Sequence, residues 1–187
     1  MSGLRVIAGK AKGRRLHAVP GDTTRPITDR TKESLFNILG ADIQDATFLD
    51  LFAGTGAVGI EALSRGASFV RFVDKVHAAV QTIRDNLEIT GLSPYAEIKK
   101  MDAFHLIEGV PDRSFDYIYI APPQYKQIWK NMLIKIDANM GWVAQDGWVI
   151  TQIHPLEYED LGENEGLNHL QFFDRRRYGS TLLVFYR

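Results

Sequence analysis

A glycine-rich turn between a predicted strand and a predicted helix constrains the fold of this chain more than any other feature. Gly54, Gly56 and Gly59 have the spacing G-x-G-x-x-G after the apolar run 48–52, and Asp74 lies twenty residues beyond Gly54. Glycines at this spacing let the backbone approach a ligand, and an acid after the second strand accepts ribose hydroxyl protons. The pattern predicts a nucleotide-type pocket, with a plain strand-to-helix turn as the alternative.

Apolar runs of strand length alternate with helical patterns along most of the chain. This alternation predicts an α/β fold in which a mostly parallel sheet has helices on both faces and ligands at the carboxyl ends of its strands. The last two runs have no helix between them, so they predict an antiparallel pair at the sheet edge, joined by a turn over 174–179. The predicted strands are 48–52, 69–73, 97–101, 115–120, 147–153, 167–173 and 181–186, and the predicted helices end near Leu39, Arg65, Leu87 and Met140.

The N-terminal part of the chain is basic. Residues 1–40 hold eight Lys or Arg and three Asp or Glu, although the net charge of the whole chain is -1. Two short β-prone runs, 4–9 and 16–19, flank the basic stretch 10–15 and predict a hairpin with a cationic tip. Thr28 or Asp29 can cap the helix that follows, and Gly40 can end it. One basic end is typical of a chain that meets a polyanion there, although a solvated charged face is the simpler interpretation.

Composition excludes several classes of protein. The chain of 187 residues contains no cysteine, which rules out a disulfide scaffold and a thiolate nucleophile. Its five histidines lack metal-binding spacing, so we expect no metal. No apolar run approaches the ~20 residues of a membrane helix, and no export signal is visible, so we expect a cytoplasmic protein that does not enter a membrane. Nothing in the sequence indicates an obligate oligomer, and a monomer is expected.

Three acids at the ends of successive predicted strands decide between cofactors. Asp50, Asp74 and Asp102 would repel the pyrophosphate of a dinucleotide, and they favour S-adenosylmethionine, which has an amino group and a sulfonium but no phosphate. By position, Asp74 holds the ribose, Asp102 or its backbone faces the adenine, and Asp50 lies near the methionine end. Asp102 is equally suited to cap a helix that starts at Ala103. The remaining predicted cofactor contacts are Phe52, Ala53, Gly54, Thr55, Gly56, Gly59 and Ala103.

Three segments resemble one family of RNA-modifying enzymes. Residues 50–67, 25–39 and 5–14 resemble motifs of the bacterial 16S rRNA guanine-N2 methyltransferases known as the methyltransferase D type. The resemblance implies a seven-stranded, Rossmann-like class I methyltransferase sheet with an N-terminal β-hairpin extension. It divides the chain into a basic hairpin and helix, 1–40, and an S-adenosylmethionine-dependent domain, 41–187. The implied activity is methylation of the exocyclic N2 of a guanine in 16S rRNA, either as naked RNA or in a small-subunit assembly particle.

The predicted catalytic loop departs from the family pattern. Enzymes of this kind carry Asp or Asn, two prolines and an aromatic residue after the fourth strand, whereas this chain has Ala121-Pro122-Pro123-Gln124-Tyr125. Ala121 cannot accept a hydrogen bond from the target amino group. The Pro122 carbonyl remains an acceptor, the Gln124 oxygen can substitute for the missing one, and Tyr125 can stack on the extruded base if the loop shifts by one residue. The resemblance therefore names Pro122, Pro123, Gln124 and Tyr125 as catalytic residues.

The same resemblance gives the basic extension a role in RNA binding. The predicted phosphate contacts are Lys10, Lys12, Arg14, Arg15, Arg25 and Arg30, and Lys32 would extend the patch. Residues 175–177, three arginines, are interpreted first as a solvated turn and second as a further RNA contact. Two other functions stay open: a catalytically impaired RNA-binding or ribosome-assembly protein that keeps the methyltransferase fold, and an S-adenosylmethionine enzyme with a small-molecule substrate.

Overall fold

The computed structural model describes residues 4–21, 27–124, 126–161 and 166–187 and contains one seven-stranded sheet. The strand order is β3-β2-β1-β4-β5-β7-β6, in which β1 to β5 pair in parallel and β7 runs antiparallel to both β5 and β6. This arrangement confirms the predicted α/β fold and its antiparallel edge. The strands are β1 (Thr47–Asp50), β2 (Phe69–Asp74), β3 (Ala96–Lys100), β4 (Phe115–Ile120), β5 (Val143–Ile153), β6 (Phe172–Tyr178) and β7 (Thr181–Tyr186). The helices are α1 (Asp29–Leu39), α2 (Ala57–Ser64), α3 (His77–Thr90), α4 (Ala103–Glu108) and α5 (Ile128–Asp137).

The sheet separates two apolar cores, one on each face. Successive side chains of a strand point to opposite faces, so Phe48 belongs to the core beneath α1, α2 and α3, whereas Leu49 belongs to the core beneath α4 and α5. Both residues are fully buried. Burial on both faces explains why the central strands are continuous apolar runs in the sequence. Parallel pairing of β1 with β2 and with β4 places the carboxyl ends of these three strands side by side at one edge of the sheet.

The edge strand β6 corrects the sequence prediction. The predicted strand 167–173 and turn 174–179 are wrong, because β6 runs from Phe172 to Tyr178 and the turn to β7 consists of Gly179 and Ser180. Arg175, Arg176 and Arg177 are therefore exposed strand residues, not turn residues. An edge strand has one neighbour and tolerates charges that protect its open side against pairing with other chains. The three arginines were interpreted as part of a turn because a sequence pattern does not show that an edge strand tolerates charged residues.

The N-terminal arm, defined here as residues 4–21, reverses direction as the predicted hairpin does, but it has one isolated antiparallel bridge in place of two full strands. Its described residues form a single antiparallel bridge, between Arg5 and Arg15, and the Val6 N–H donates to the Arg14 carbonyl at 2.9 Å. Val6 and Leu16 pack into the core beneath α1 to α3, so the arm is part of the globule. Thr28 caps α1 as predicted, since its Oγ1 accepts the Thr31 N–H at 3.2 Å. In the described part of the chain, no helix combines the length and apolarity needed to cross a membrane.

Candidate functional site

The deepest charged group at the carboxyl edge of the sheet is Asp50, the last residue of β1. Its side chain is 1% exposed, the Gly59 N–H donates to its carboxylate, and its Oδ2 has no hydrogen-bond partner. Burial raises the pKa of Asp50 to about 7, against the lowering effect of the Gly59 N–H, and the nearby Asp74 adds to the rise. A buried, unpartnered carboxylate oxygen is costly unless a ligand donates to it. Asp50 therefore presents an acceptor for a cationic or hydrogen-bonding ligand.

Asp74, at the end of β2, shapes the glycine-rich loop, residues 52–56. Its Oδ2 accepts the Gly54 N–H at 2.9 Å and its Oδ1 accepts the Val76 N–H at 2.9 Å. Gly54 has φ +55°, and an added Cβ there would meet no atom within 4 Å. The loop therefore faces open space at Gly54, beside a carboxylate that the backbone holds in place. This geometry brings the predicted residues Asp74 and Gly54 together.

The other two glycines of the motif have structural tasks. Gly56 caps α2 with φ +78°, a left-handed conformation that costs other residues energy. Gly59 packs against β2 so closely that an added Cβ would lie 2.3 Å from the Phe72 ring. The loop itself is tied to β2 because the Ala53 N–H donates to the Val73 carbonyl at 3.0 Å. Of the remaining predicted contacts in the glycine-rich loop, Phe52 and Thr55 are half-buried beside the open space.

Asp102 performs the capping role that the sequence left open. Its Oδ1 accepts the Phe104 N–H at 2.9 Å and so caps α4, which begins at the buried residue Ala103. Its Oδ2 also lies 3.5 Å from the Lys75 Nζ, in an exposed ion pair that the sequence did not indicate. Asp102 and Ala103 follow β3, at the same edge of the sheet as Asp74. The predicted contact of Asp102 or its backbone with the adenine, and that of Ala103 with the cofactor, stay predictions.

The loop after β4 lies beside the end of β5. Ile120 pairs with Thr151, so the residues that follow each strand emerge next to each other. Pro122 is buried, Pro123 and Gln124 are exposed, and Tyr125 lies outside the described residues. Beyond the loop, Glu159 accepts from the Gln127 Nε2 and the Lys130 Nζ, both at 2.8 Å, which fixes the start of α5. The loop thus has a fixed base and an exposed tip.

Most of the predicted RNA-binding side chains are exposed. Arg25 lies outside the described residues. The prediction that Lys32 extends the RNA-binding patch is wrong, because this side chain is fully buried. Its Nζ lies 3.5 Å from the Glu61 Oε2 and 2.5 Å from the Arg5 carbonyl oxygen. Burial lowers the pKa of Lys32. Lys32 therefore belongs to the core and cannot contact RNA. The exposed basic residues are Lys10, Lys12, Arg14, Arg15 and Arg30.

Sequence reasoning missed the residues that dock the arm. Glu61 on α2 accepts the Ile7 and Ala8 N–H groups at 2.9 and 3.0 Å, and also pairs with Arg65 at 2.8 Å. The Ser64 Oγ accepts the Ala11 N–H at 2.9 Å. One signal was available, since Glu61 is the only charged residue in the mostly apolar helix 57–64. Among residues 4–21, 27–124, 126–161 and 166–187, no group of three or more His, Cys, Asp or Glu is placed to bind a metal ion.

Comparisons with known proteins agree on one family. A family profile described as "Conserved hypothetical protein 95" matches residues 4–187. The "Ribosomal RNA small subunit methyltransferase D" of Escherichia coli (strain K12) is 32% identical over 151 residues, which are 80% of this chain and 74% of that protein. The chain belongs to the small-subunit methyltransferase D family. The resemblance carried by residues 5–14, 25–39 and 50–67 is thereby confirmed.

Two further relatives cover almost the whole chain. The "Putative rRNA methyltransferase YlbH" of Bacillus subtilis (strain 168) is 39% identical over 186 residues, 98% of each protein. The solved structure of "Putative methyltransferase yhhF from Escherichia coli" has a TM-score of 0.82 and 27% identity, and it covers 98% of this chain and 96% of that chain. The class I methyltransferase fold predicted for this member of the methyltransferase D family is therefore confirmed.

Proposed function

We propose that this chain transfers a methyl group from S-adenosylmethionine to the exocyclic N2 of a guanine in 16S rRNA. The observation that carries the proposal is the buried Asp50 carboxylate at the end of β1, whose Oδ2 lacks a hydrogen-bond partner. Membership of the methyltransferase D family supports the same activity.

The cofactor half of the site suits S-adenosylmethionine. When bound, this cofactor supplies a methyl group on a positively charged sulfur. We propose that the Asp50 oxygen without a partner accepts from its ammonium group and that Asp74 accepts from its ribose hydroxyls. A pyrophosphate would meet Asp50, Asp74 and Asp102 at neighbouring strand ends, where like charges repel. The acids therefore favour a cationic ligand over a dinucleotide.

The base half of the site has two acceptors for the guanine amino group. The lone pair of that nitrogen is delocalised into the ring, which makes it a poor nucleophile. The Pro122 carbonyl and the Gln124 side-chain oxygen can accept its two N–H bonds and orient the lone pair toward the methyl group. Ala121 offers no such acceptor. If Gln124 does not supply the second acceptor, the missing acid costs about 10²–10³ in rate, by analogy with the loss of one preorganised hydrogen-bonding group.

The arm supplies the RNA contacts. Lys10, Lys12, Arg14 and Arg15 are exposed on one tight turn, and cationic side chains of this kind neutralise phosphates without reading the sequence. The glycine-rich loop and the Pro122 loop are then left to bind the cofactor and to select the base. The arm also argues against a small-molecule substrate, because binding a small molecule would not require a cationic turn.

Methyl transfer to small-subunit particles from cells that lack this enzyme tests the proposal. With a radiolabelled methyl group on the cofactor, we expect label in 16S rRNA that is recovered as N2-methylguanosine after digestion to nucleosides. Label in another nucleoside would refute the proposed target. Binding of cofactor and RNA without any incorporation would favour the alternative that Ala121 suggests, a catalytically impaired RNA-binding or assembly protein.

The variant Ala121→Asp separates these two functions. If the site has lost activity with its acid, the variant should gain methyl transfer by about tenfold or more. If the loop works through Gln124 as it stands, the new carboxylate should reduce the rate. Ala138→Asp is the matched control, because it adds the same charge at an exposed position after α5 and should leave the rate unchanged.

A further inference from the structure

One buried side chain joins the arm to the glycine-rich loop. Asn86 lies on α3 and is 0% exposed. Its Oδ1 accepts the His17 N–H at 2.7 Å, and its Nδ2 donates to the His17 carbonyl at 3.1 Å and to the Thr55 carbonyl at 2.9 Å. The oxygen and both N–H donors of the amide are therefore engaged. His17 belongs to the arm and Thr55 to the loop, so the two segments share one anchor.

The other anchor of the arm is α2, the helix that begins where the glycine-rich loop ends. Glu61 and Ser64 hold the backbone of residues 7–11. The contact at Gly9 is so close that an added Cβ would lie 1.8 Å from the Ser64 carbonyl oxygen. The cationic turn, residues 10–15, thus lies between two fixed points, one on α2 and one on Asn86. A displacement of the cationic turn would therefore be transmitted to α2, which follows the glycine-rich loop, and to Asn86, which contacts that loop.

Thr55 is the position in the loop where a small displacement matters most. It lies between Gly54 and Gly56, whose φ angles are +55° and +78°. Glycine adopts such conformations at little cost and leaves them as easily, so contacts with neighbouring elements hold the loop in one geometry. The Asn86–Thr55 hydrogen bond is such a contact, and it leads directly from the arm.

We propose that Asn86 is a positioning residue that couples RNA binding at the arm to cofactor binding at the glycine-rich loop. The proposal rests on the proposed function, in which the arm binds RNA and the loop binds the cofactor. RNA that holds the arm in its docked position also holds His17, and through Asn86 it holds Thr55 in the geometry that receives the cofactor. Coupling of this kind is reciprocal, so each ligand raises the affinity for the other by the same factor.

Calorimetry on the full chain measures this factor. S-adenosylhomocysteine is titrated into the protein alone and into the protein saturated with small-subunit particles from cells that lack the enzyme. We expect the particles to tighten S-adenosylhomocysteine binding about fivefold or more, and S-adenosylhomocysteine to tighten particle binding by the same factor. In Asn86→Ala the factor should fall to about one. Gln81→Ala, at an exposed position on the same helix, is the matched control and should keep the wild-type factor.

Each outcome decides the proposal. A factor of one in the wild type, with both ligands bound, overturns the coupling and leaves the proposed function intact. An unchanged factor in Asn86→Ala overturns the role of this residue. If either ligand fails to bind the wild type, the proposed function fails together with the coupling.

Hydrogen exchange in the wild type extends the test, should Asn86→Ala fail to fold. We expect particles to slow amide exchange in residues 52–56, and S-adenosylhomocysteine to slow it in residues 5–17. A role of Asn86 in stability alone would leave exchange at the distant segment unchanged, and that result would overturn the proposal.

Discussion

The two halves of the carboxyl edge of the sheet are built differently. In the cofactor half, over β1 and β2, backbone N–H groups fix the acids: Gly59 donates to Asp50, and Gly54 donates to Asp74. In the base half, over β4, the loop carries two prolines without N–H groups and exposes Gln124. The fold itself therefore fixes the Asp50 and Asp74 carboxylates, whereas we expect the loop after β4 to take its final shape with the RNA.

The largest expected effect concerns the buried acid of the cofactor half, through the pH dependence of stability. Burial raises the pKa of Asp50 from 3.8 to about 7, so between these values the folded chain keeps a proton that the unfolded chain has released. The free energy of unfolding should therefore fall as pH rises from 4 to 7, by up to about 1.4 kcal/mol per pH unit. Asp50→Asn should lack this fall, as urea unfolding at a series of pH values would detect. Parallel pH profiles for the two proteins would contradict the prediction.

The second prediction compares packing in the two halves. Gly59→Val should reduce the free energy of unfolding by about 3 kcal/mol, because its side chain would overlap the Phe72 ring. Gln124→Val, at an exposed position of the base half, should change it by less than about 0.5 kcal/mol. Urea denaturation measures both. Similar losses in the two variants would remove the distinction between a prebuilt half and an adaptable one.

The third prediction ranks two acids of the cofactor half. Asp74→Ala should weaken S-adenosylhomocysteine binding about tenfold or more, because it releases the N–H groups of Gly54 and Val76 and removes the proposed ribose acceptor. Asp102→Ala should weaken it about threefold or less, because that side chain is half exposed and mainly caps α4. Calorimetry measures both affinities. A larger loss of affinity in Asp102→Ala than in Asp74→Ala would indicate that the ribose binds at the end of β3.

The fourth prediction separates the halves kinetically. Gln124→Ala should lower kcat for methyl transfer about fivefold, because one acceptor for the guanine amino group is lost, and should leave the Kd for S-adenosylhomocysteine unchanged. Lys126→Ala, two residues further on and also exposed, is the control for a general effect on the loop. A weaker affinity for S-adenosylhomocysteine in Gln124→Ala would show that the two halves are not independent.

The smallest expected effect lies in the arm. Lys12→Ala and Arg14→Ala should each weaken particle binding only severalfold, and each should reduce the slope of log K against log salt by about one, the signature of one lost phosphate contact. Lys135→Ala, on α5 and paired with Glu108, should leave the slope unchanged. Equal slopes of log K against log salt in all three variants would show that the arm does not contact RNA phosphates.

Sequence alone predicted the glycine-rich loop and the buried strands well, because their signals are local. The spacing of Gly54, Gly56 and Gly59 by itself indicates a turn between a strand and a helix. The buried strands β4 and β7 begin and end where their apolar runs do. The edge strand β6 was misplaced because arginines in an exposed strand resemble a turn. A local sequence pattern therefore predicts buried central strands better than edge strands, which pair with a neighbouring strand on one side only.

The contacts of the arm could not be predicted, because they join residues far apart in the chain. Lys32 and Glu61 form a buried ion pair across 29 positions, and neither segment by itself indicates the partner of its charge. Asn86 likewise resembles any polar residue of a helix until its three hydrogen bonds to His17 and Thr55 are seen. Side chains of this kind acquire their roles only from tertiary packing.

Calorimetric titration of the full chain with S-adenosylhomocysteine, and in parallel with a nicotinamide dinucleotide, tests the central claim most directly. The orphaned Asp50 oxygen, the open Gly54 backbone and the acid at the end of β2 predict one S-adenosylhomocysteine bound per chain and no heat from the dinucleotide. Binding of the dinucleotide without binding of S-adenosylhomocysteine would contradict the account.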